Sequence, residues 1–261
     1  PARRAHPACD LLFRRFQQQI ELNTMEFYDP SSSGEASEVS ELMNNLGQKA
    51  ELEGLIVELR DKLRELPADT DPLNRCDIEL DIAHAQQQLE RGDEAWPTAR
   101  ACFDVFIEHQ EWEKASLACD ILYQCDQADS LIALGNGVWL AVTFPIDPEI
   151  TVNMLAHIVD DTPDDSDGAA VAAATALFVA DTRCPEGPDR DRLHFFSTQL
   201  LGKVARRHSE IENQQQFDFW IEKLELNDPD KFLVRLRNIV DVLAQENWWI
   251  DRDAIRDSIQ D

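Results

Sequence analysis

A chain of 261 residues, 43% of them hydrophobic and well dispersed, can form one large or two ordinary domains that bury their apolar surface without disulfide or metal staples. No run approaches the ~20 apolar residues of a membrane-spanning helix, so no such span is expected. A formal charge of −27 opposes unaided binding to DNA, RNA or an anionic bilayer and suits a cation or a basic protein segment better, although a solvated acidic surface needs no ligand at all.

Residues 1–34 read as an N-terminal extension and linker. Arg3, Arg4, Arg14 and Arg15 stand there against Asp10 and Glu21, a basic balance foreign to the rest of the chain. Met25 opens the segment with the body's composition, so the first 24 residues are expected to be an over-extended reading frame or a cloning remnant. The apolar stretch Leu11 to Phe13 is too short for a secretory signal. Pro30-Ser31-Ser32-Ser33-Gly34 has the composition of a flexible linker. From Glu35 to Leu66, Val39, Leu42, Leu46, Leu52, Ile56, Leu59, Leu63 and Leu66 recur at three- and four-residue steps, which predicts one or two amphipathic helices packing on the body at 67–261.

Beyond the polar break Pro67 to Pro72, helices are expected near 76–91, 94–109 and 111–125, then one interrupted around Gly135-Asn136-Gly137. Val138 to Phe144 is short, β-branched and aromatic, but it has no evident partner strand and reads as helix. Pro148 to Val159 is a further helix. An acidic loop, Asp160 to Asp167, leads into the uncharged Ala-rich run Gly168 to Ala180, which predicts a centrally buried helix with Asp167 as its N-cap. Helices near 189–207, 209–225, 229–246 and 251–259 complete the chain, the third of these starting at Asp228-Pro229. The expected fold class is all-α: an α-solenoid or irregular stack of antiparallel helical hairpins.

The hairpin region carries a family likeness. His109-Gln110-Glu111-Trp112-Glu113-Lys114-Ala115, continuing through Ile121-Leu122, places a polar turn, an aromatic, an acid and then a small residue where two helices must approach. Gly92-Asp93-Glu94-Ala95-Trp96 repeats this turn chemistry, and Leu131, Leu134, Gly135 and Val138 follow at first-helix spacing. Residues 77–145 thus resemble the tetratricopeptide-repeat family, with Gly92, Trp96, Trp112, Ala115 and Gly135 at structural repeat positions. By the same register Ala115 faces the preceding helix and Lys114 faces solvent. The resemblance implies a non-enzymatic protein- or peptide-binding scaffold or adaptor without cofactor, whose partner is another protein, basic by charge, and neither nucleic acid nor membrane.

Other motifs in the chain point to different chemistry. Asp160-Asp161-Thr162-Pro163-Asp164 spells the D-D-x-x-D pattern and resembles the first aspartate motif of helical isoprenoid synthases, which would make Asp160, Asp161 and Asp164 ligands of Mg²⁺ on a diphosphate. That is the alternative function. Pro163 interrupts the helix the motif requires, and no second aspartate-rich motif follows. Aligned as a calcium hand, the same loop puts Pro163 first and Ala174 twelfth, both unable to ligate. His84, His109, His157, His194 and His208 form no H-x-x-x-H or H-E-x-x-H pair, and no G-x-S-x-G elbow, phosphate loop or dinucleotide fingerprint occurs.

Trp248 and Trp249 are candidate interface anchors, or else staples for a terminal helix. Arg206 and Arg207 are candidates for bidentate binding of a carboxylate or phosphate, or for complementing a helix C-terminus. The six cysteines, Cys9, Cys76, Cys102, Cys119, Cys125 and Cys184, show no C-x-x-C pair and no obvious metal-ligand spacing. Reduced thiols and a cytoplasmic compartment are expected, with Cys102 and Cys119 acting as small buried hydrophobes.

Overall fold

The structure, a computed structural model, describes residues 35–260, with side chains over 46–257. The basic segment 1–24 and the Pro30–Gly34 linker lie outside the described residues. Eleven helices make up the described chain: α1 (Glu35–Glu65), α2 (Pro72–Gln88), α3 (Gly92–Glu108), α4 (Trp112–Gln124), α5 (Ser130–Thr143), α6 (Pro148–Asp161), α7 (Asp167–Arg183), α8 (Pro188–Ser209), α9 (Gln214–Lys223), α10 (Pro229–Ala244) and α11 (Arg252–Gln260). None is long and apolar enough to cross a membrane.

Three of these helices begin in the same way. Asp71-Pro72, Asp147-Pro148 and Asp228-Pro229 each put a carboxylate at the N-cap, accepting from the N–H of Leu73 (2.9 Å), Glu149 (2.7 Å) and Asp230 (3.2 Å), while proline occupies a first-turn position whose N–H has no helical partner. α7 differs from expectation. Its N-cap is Ser166, which accepts from Gly168 N–H at 3.1 Å, and Asp167 falls inside the first turn.

Helices end in two ways. After α2, α3 and α9 the chain turns through left-handed Glu90, Gln110 and Glu225, and paired backbone bonds close each end, as in Arg91 N–H to Gln86 O and Glu111 N–H to Phe106 O, both 2.9 Å. The ends of α5 and α6 turn extended instead, and arginines from later helices satisfy their carbonyls. Arg183 donates to Ala141, Val142 and Phe144 at 2.5–3.1 Å, and Arg207 to Val159 at 2.6 Å.

Short turns make successive helices antiparallel, so the stack has two layers. Even helices α2, α4, α6 and α8 form one and touch their nearest layer-mates directly; odd helices α1, α3, α5 and α7 form the other, where α10 packs against both α5 and α7. One continuous core runs through α2 to α10, with Phe103, Phe106, Leu122, Leu134, Leu140, Met154 and Leu155 fully buried. α1 joins α2 through a smaller cluster in which Ile56 and Leu59 meet Ile82, Ala85 and Leu89.

Helix α5 corrects the expected interruption, since it runs unbroken through Gly135-Asn136-Gly137. A Cβ on Gly135 would lie 2.8 Å from the backbone nitrogen of Ala244 in α10. One on Gly137 would lie 2.6 Å from Cys119 Cβ in α4 and 2.3 Å from the Met154 methyl in α6. The two glycines cost roughly 1 kcal/mol each in helix propensity, and three close helix contacts outweigh that cost. The fully buried Asn136 donates to Ile132 O at 2.9 Å and accepts from Trp249 N–H at 3.2 Å.

Candidate functional site

The aromatic pair is engaged within the molecule. Trp249 sits edge-on to Trp96 (6.3 Å between centroids) and Phe103 (5.5 Å), with the Arg100 guanidinium 4.4 Å from its ring; Trp248 approaches Trp139 at 6.4 Å and lies 3.7 Å from the Arg252 guanidinium. The pair therefore fastens the C-terminal segment onto α3 and α5. Of the remaining repeat positions, Trp112 stacks on Phe144 at 4.3 Å, and Ala115 is fully buried. Gly92 opens α3 where a Cβ would lie 2.3 Å from the Cys125 carbonyl oxygen.

The expected acidic loop is shorter than its sequence suggested, since Asp160 and Asp161 close α6 and Asp167 opens α7, and its carboxylates are tied down by separate partners. Asp160 pairs with Lys203 (3.1 Å), Asp161 accepts from the Tyr123 hydroxyl (2.7 Å), Asp164 lies 3.8 Å from Arg207, and Asp167 meets His208 (3.1 Å) and Arg235 (3.0 Å). These carboxylates point along different directions to helices α4, α8 and α10. The structure thus places Arg207 between the loop and the end of α6, while Arg206 is exposed.

What the fold does bring together is a polar stripe across the even helices. Asp77, Asp81, His84 and Gln88 on α2 recur at helical spacing, as do Glu113, Asp120 and Gln124 on α4, Glu149, Asn153, His157 and Asp160 on α6, and Arg192 and Lys203 on α8, with the apolar Leu117 and Phe196 interleaved. Each neighbouring pair of helices is laced across this stripe. Lys114 joins α4 to α2 through both oxygens of Asp77 (2.6 and 2.8 Å), His157 joins α6 to α4 through Asp120 (2.7 Å), and Arg192 and Lys203 join α8 to α6 through Glu149 (3.2 Å) and Asp160. Lys114, expected to face solvent, is 19% exposed and Asp77 13%, because α4 leans on α2 at this point.

The centre of the stripe is the most sheltered. Asp120 is buried, and its two oxygens accept from His157 Nε2 and from Gln124 Nε2 (2.8 Å). Burial alone would lower the pKa of His157, but the bond and charge of Asp120, with Asp160 and Asp161 behind it, prevail and raise it above the ordinary histidine value. The ring of Tyr123 lies 4.6 Å from that imidazole, and burial together with its bond to Asp161 pushes the phenol well above its usual range. A histidine, a tyrosine and three acids, Asp120, Asp160 and Asp161, from α4 and α6 thus share one face. Their scatter along the chain, 37 residues between Asp120 and His157, is why no motif shows them.

Compared with protein-family models, curated proteins and solved structures, the chain matches none.

A second grouping lies inside the stack. Cys76 and Glu79, one turn apart on α2, meet Cys102 of α3 so that their ligand atoms all fall within 4.8 Å of one another; among the described residues no other three His, Cys, Asp or Glu do so. The expectation from spacing alone had found no metal-ligand pattern in the cysteines. The signal was there in part, as a C-x-x-E step on a helix, but its third member is supplied by the hairpin.

Proposed function

We propose that this chain is a non-enzymatic protein-binding scaffold, acting in a reducing compartment such as the cytoplasm, whose polar stripe on α2, α4, α6 and α8 receives an extended basic segment of another protein. The supporting observation is a row of acids presented by successive parallel-running helices of one layer, the mostly covered Asp77 and Glu149 and the exposed Asp160 and Asp161, with the buried Asp120 between them. Such a row offers repeated sites for Lys and Arg side chains along a stretched peptide, and stacked-hairpin scaffolds, including the tetratricopeptide-repeat proteins that residues 77–145 resemble, use an extended helical face for that purpose. The aromatic and arginine candidates of the sequence reading serve the reading less well, since Trp248, Trp249 and Arg207 are spent on contacts within the chain. Each acid already has an intramolecular partner, so binding exchanges one ion pair for another. Affinity should be modest and should fall steeply with salt.

A peptide array of basic, neutral and acidic extended sequences, followed by fluorescence anisotropy on the hits, tests this. Basic peptides should bind selectively, and the exposed charge reversal Asp160→Lys with Asp161→Lys should weaken them at least tenfold. Equal binding of neutral or acidic peptides, or indifference to the reversal, would sink the proposal.

A further inference from the structure

We propose that Cys76, Glu79 and Cys102 form a binding site for a borderline-soft divalent metal ion of the Zn²⁺ class, held between α2 and α3 with one coordination position left to water. The site is separate from the polar stripe and does not depend on the scaffold reading.

The geometry comes first. Residues three apart on a helix share a face, so Cys76 and Glu79 both look from α2 towards α3, and Cys102 lies at the facing level of the antiparallel partner. In a tetrahedral site with Zn–S near 2.3 Å and Zn–O near 2.0–2.2 Å, neighbouring ligand atoms sit roughly 3.3–3.8 Å apart. A trio already within 4.8 Å needs only about 1 Å of closure, within the reach of side-chain rotation. Two thiolates and one carboxylate are a donor set that zinc accepts, and three protein ligands with a water are the usual make-up of an open site.

The surroundings point the same way. Cys102 is fully buried and Cys76 nearly so, whereas Glu79 is only half-buried and stands on the solvent side, which gives an ion its approach. Two thiols and a carboxylate thus converge at one point with little water around the sulfurs. Two thiolates and a carboxylate around a dication carry one net negative charge, which the nearby Arg75 guanidinium offsets. The thiols themselves are weakly satisfied. Cys102 donates a long S–H bond to the Cys76 carbonyl oxygen at 3.6 Å, and the two thiols also lie in contact with each other. Cys119 and Cys125 are buried to a similar degree without a carboxylate among them, which makes them natural controls.

The test uses the full chain, stripped with chelator and kept under a phosphine reductant, titrated with Co²⁺ as the spectroscopic probe and then with Zn²⁺. One equivalent of Co²⁺ should give a thiolate-to-cobalt charge-transfer band and the intense visible bands of a tetrahedral ion, all abolished by one equivalent of Zn²⁺. Apparent affinity should rise at least about tenfold per pH unit, because protons leave as the ion enters. Cys102→Ser should remove the charge-transfer band, Glu79→Gln should keep it but weaken binding at least tenfold, and Cys119→Ser should leave it unchanged. If Cys102→Ser does not fold, protection of the wild-type thiols from alkylation by Zn²⁺, lost in Glu79→Gln, is the deciding measurement. Absence of stoichiometric binding, bands that survive Cys102→Ser, or no effect of Glu79→Gln on affinity or protection would overturn the proposal.

Discussion

Neighbouring even helices are joined across a half-solvated boundary by charges: Lys114 to Asp77, His157 to Asp120, Lys203 to Asp160. Odd helices are joined by apolar material that arrives from the far end of the chain. Trp249 enters against Trp96 and Phe103, the backbone at Ala244 closes on Gly135, and Phe232 meets Phe178 at 5.8 Å. The two boundaries differ in strength. Partly exposed ion pairs contribute roughly 0.2–1 kcal/mol each, whereas removing a well-packed aromatic costs about 3–5 kcal/mol. Stability therefore concentrates in the odd layer, and the even layer is left with groups that can change partners at small cost.

The sharpest way to break this contrast is at the odd layer. Gly135→Val would drive a side chain into the Ala244 backbone, and Trp249→Ala would empty the space between Trp96 and Phe103. Each should cost about 3 kcal/mol, read as a lowered urea midpoint, with helix content kept until unfolding. Losses below ~1 kcal/mol in both would mean that the C-terminal segment is not what holds α3 and α5 together.

Ala115→Leu comes next, at about 1–3 kcal/mol, because the methyl is fully buried where α4 meets its neighbours. Lys114→Leu, one position back, leaves the mostly covered Asp77 carboxylate without its ammonium and should cost about 1 kcal/mol. A chemical denaturation series on the two variants separates steric from electrostatic loss, since only the Lys114 effect should shrink with added salt.

The even layer predicts a pH dependence. The His157 pKa is raised in the folded state, so its protonation stabilises the fold fully below the unfolded value and that contribution is lost as pH rises through the folded value. Urea midpoints should therefore carry a component that falls as pH rises above ~6.5, the ordinary histidine value, in the wild type and vanishes in His157→Gln. An identical pH profile in the two proteins would show that the Asp120–His157 pair does not titrate as a stabilising element.

The smallest effect belongs to the acidic loop. Asp160→Asn with Asp164→Asn removes two partners that are 59% and 81% exposed, and stability measured by thermal melting should change by less than ~1 kcal/mol. A larger change would mean that the loop, and not Arg207 on the α6 carbonyls, secures the end of that helix.

Much of the fold was legible in the residues themselves. Asp228-Pro229, a polar turn near Gly92 (expected at Gly92–Trp96 and found just before Gly92), the turn at His109–Trp112, and the three- and four-residue rhythm from Leu52 to Leu63 act within one or two turns of helix, where the chain's own spacing carries the physics. Gly135-Asn136-Gly137 was misjudged for the same reason: local propensity reads it as a break, while its role depends on α4, α6 and α10. The charge, the all-helical class and the antiparallel order were thus determined by the sequence alone. Which carboxylate meets which cation, that Trp249 turns inward, and that Cys102 joins Cys76 and Glu79 were decided only by tertiary structure, because each rests on side chains from different helices brought together by packing.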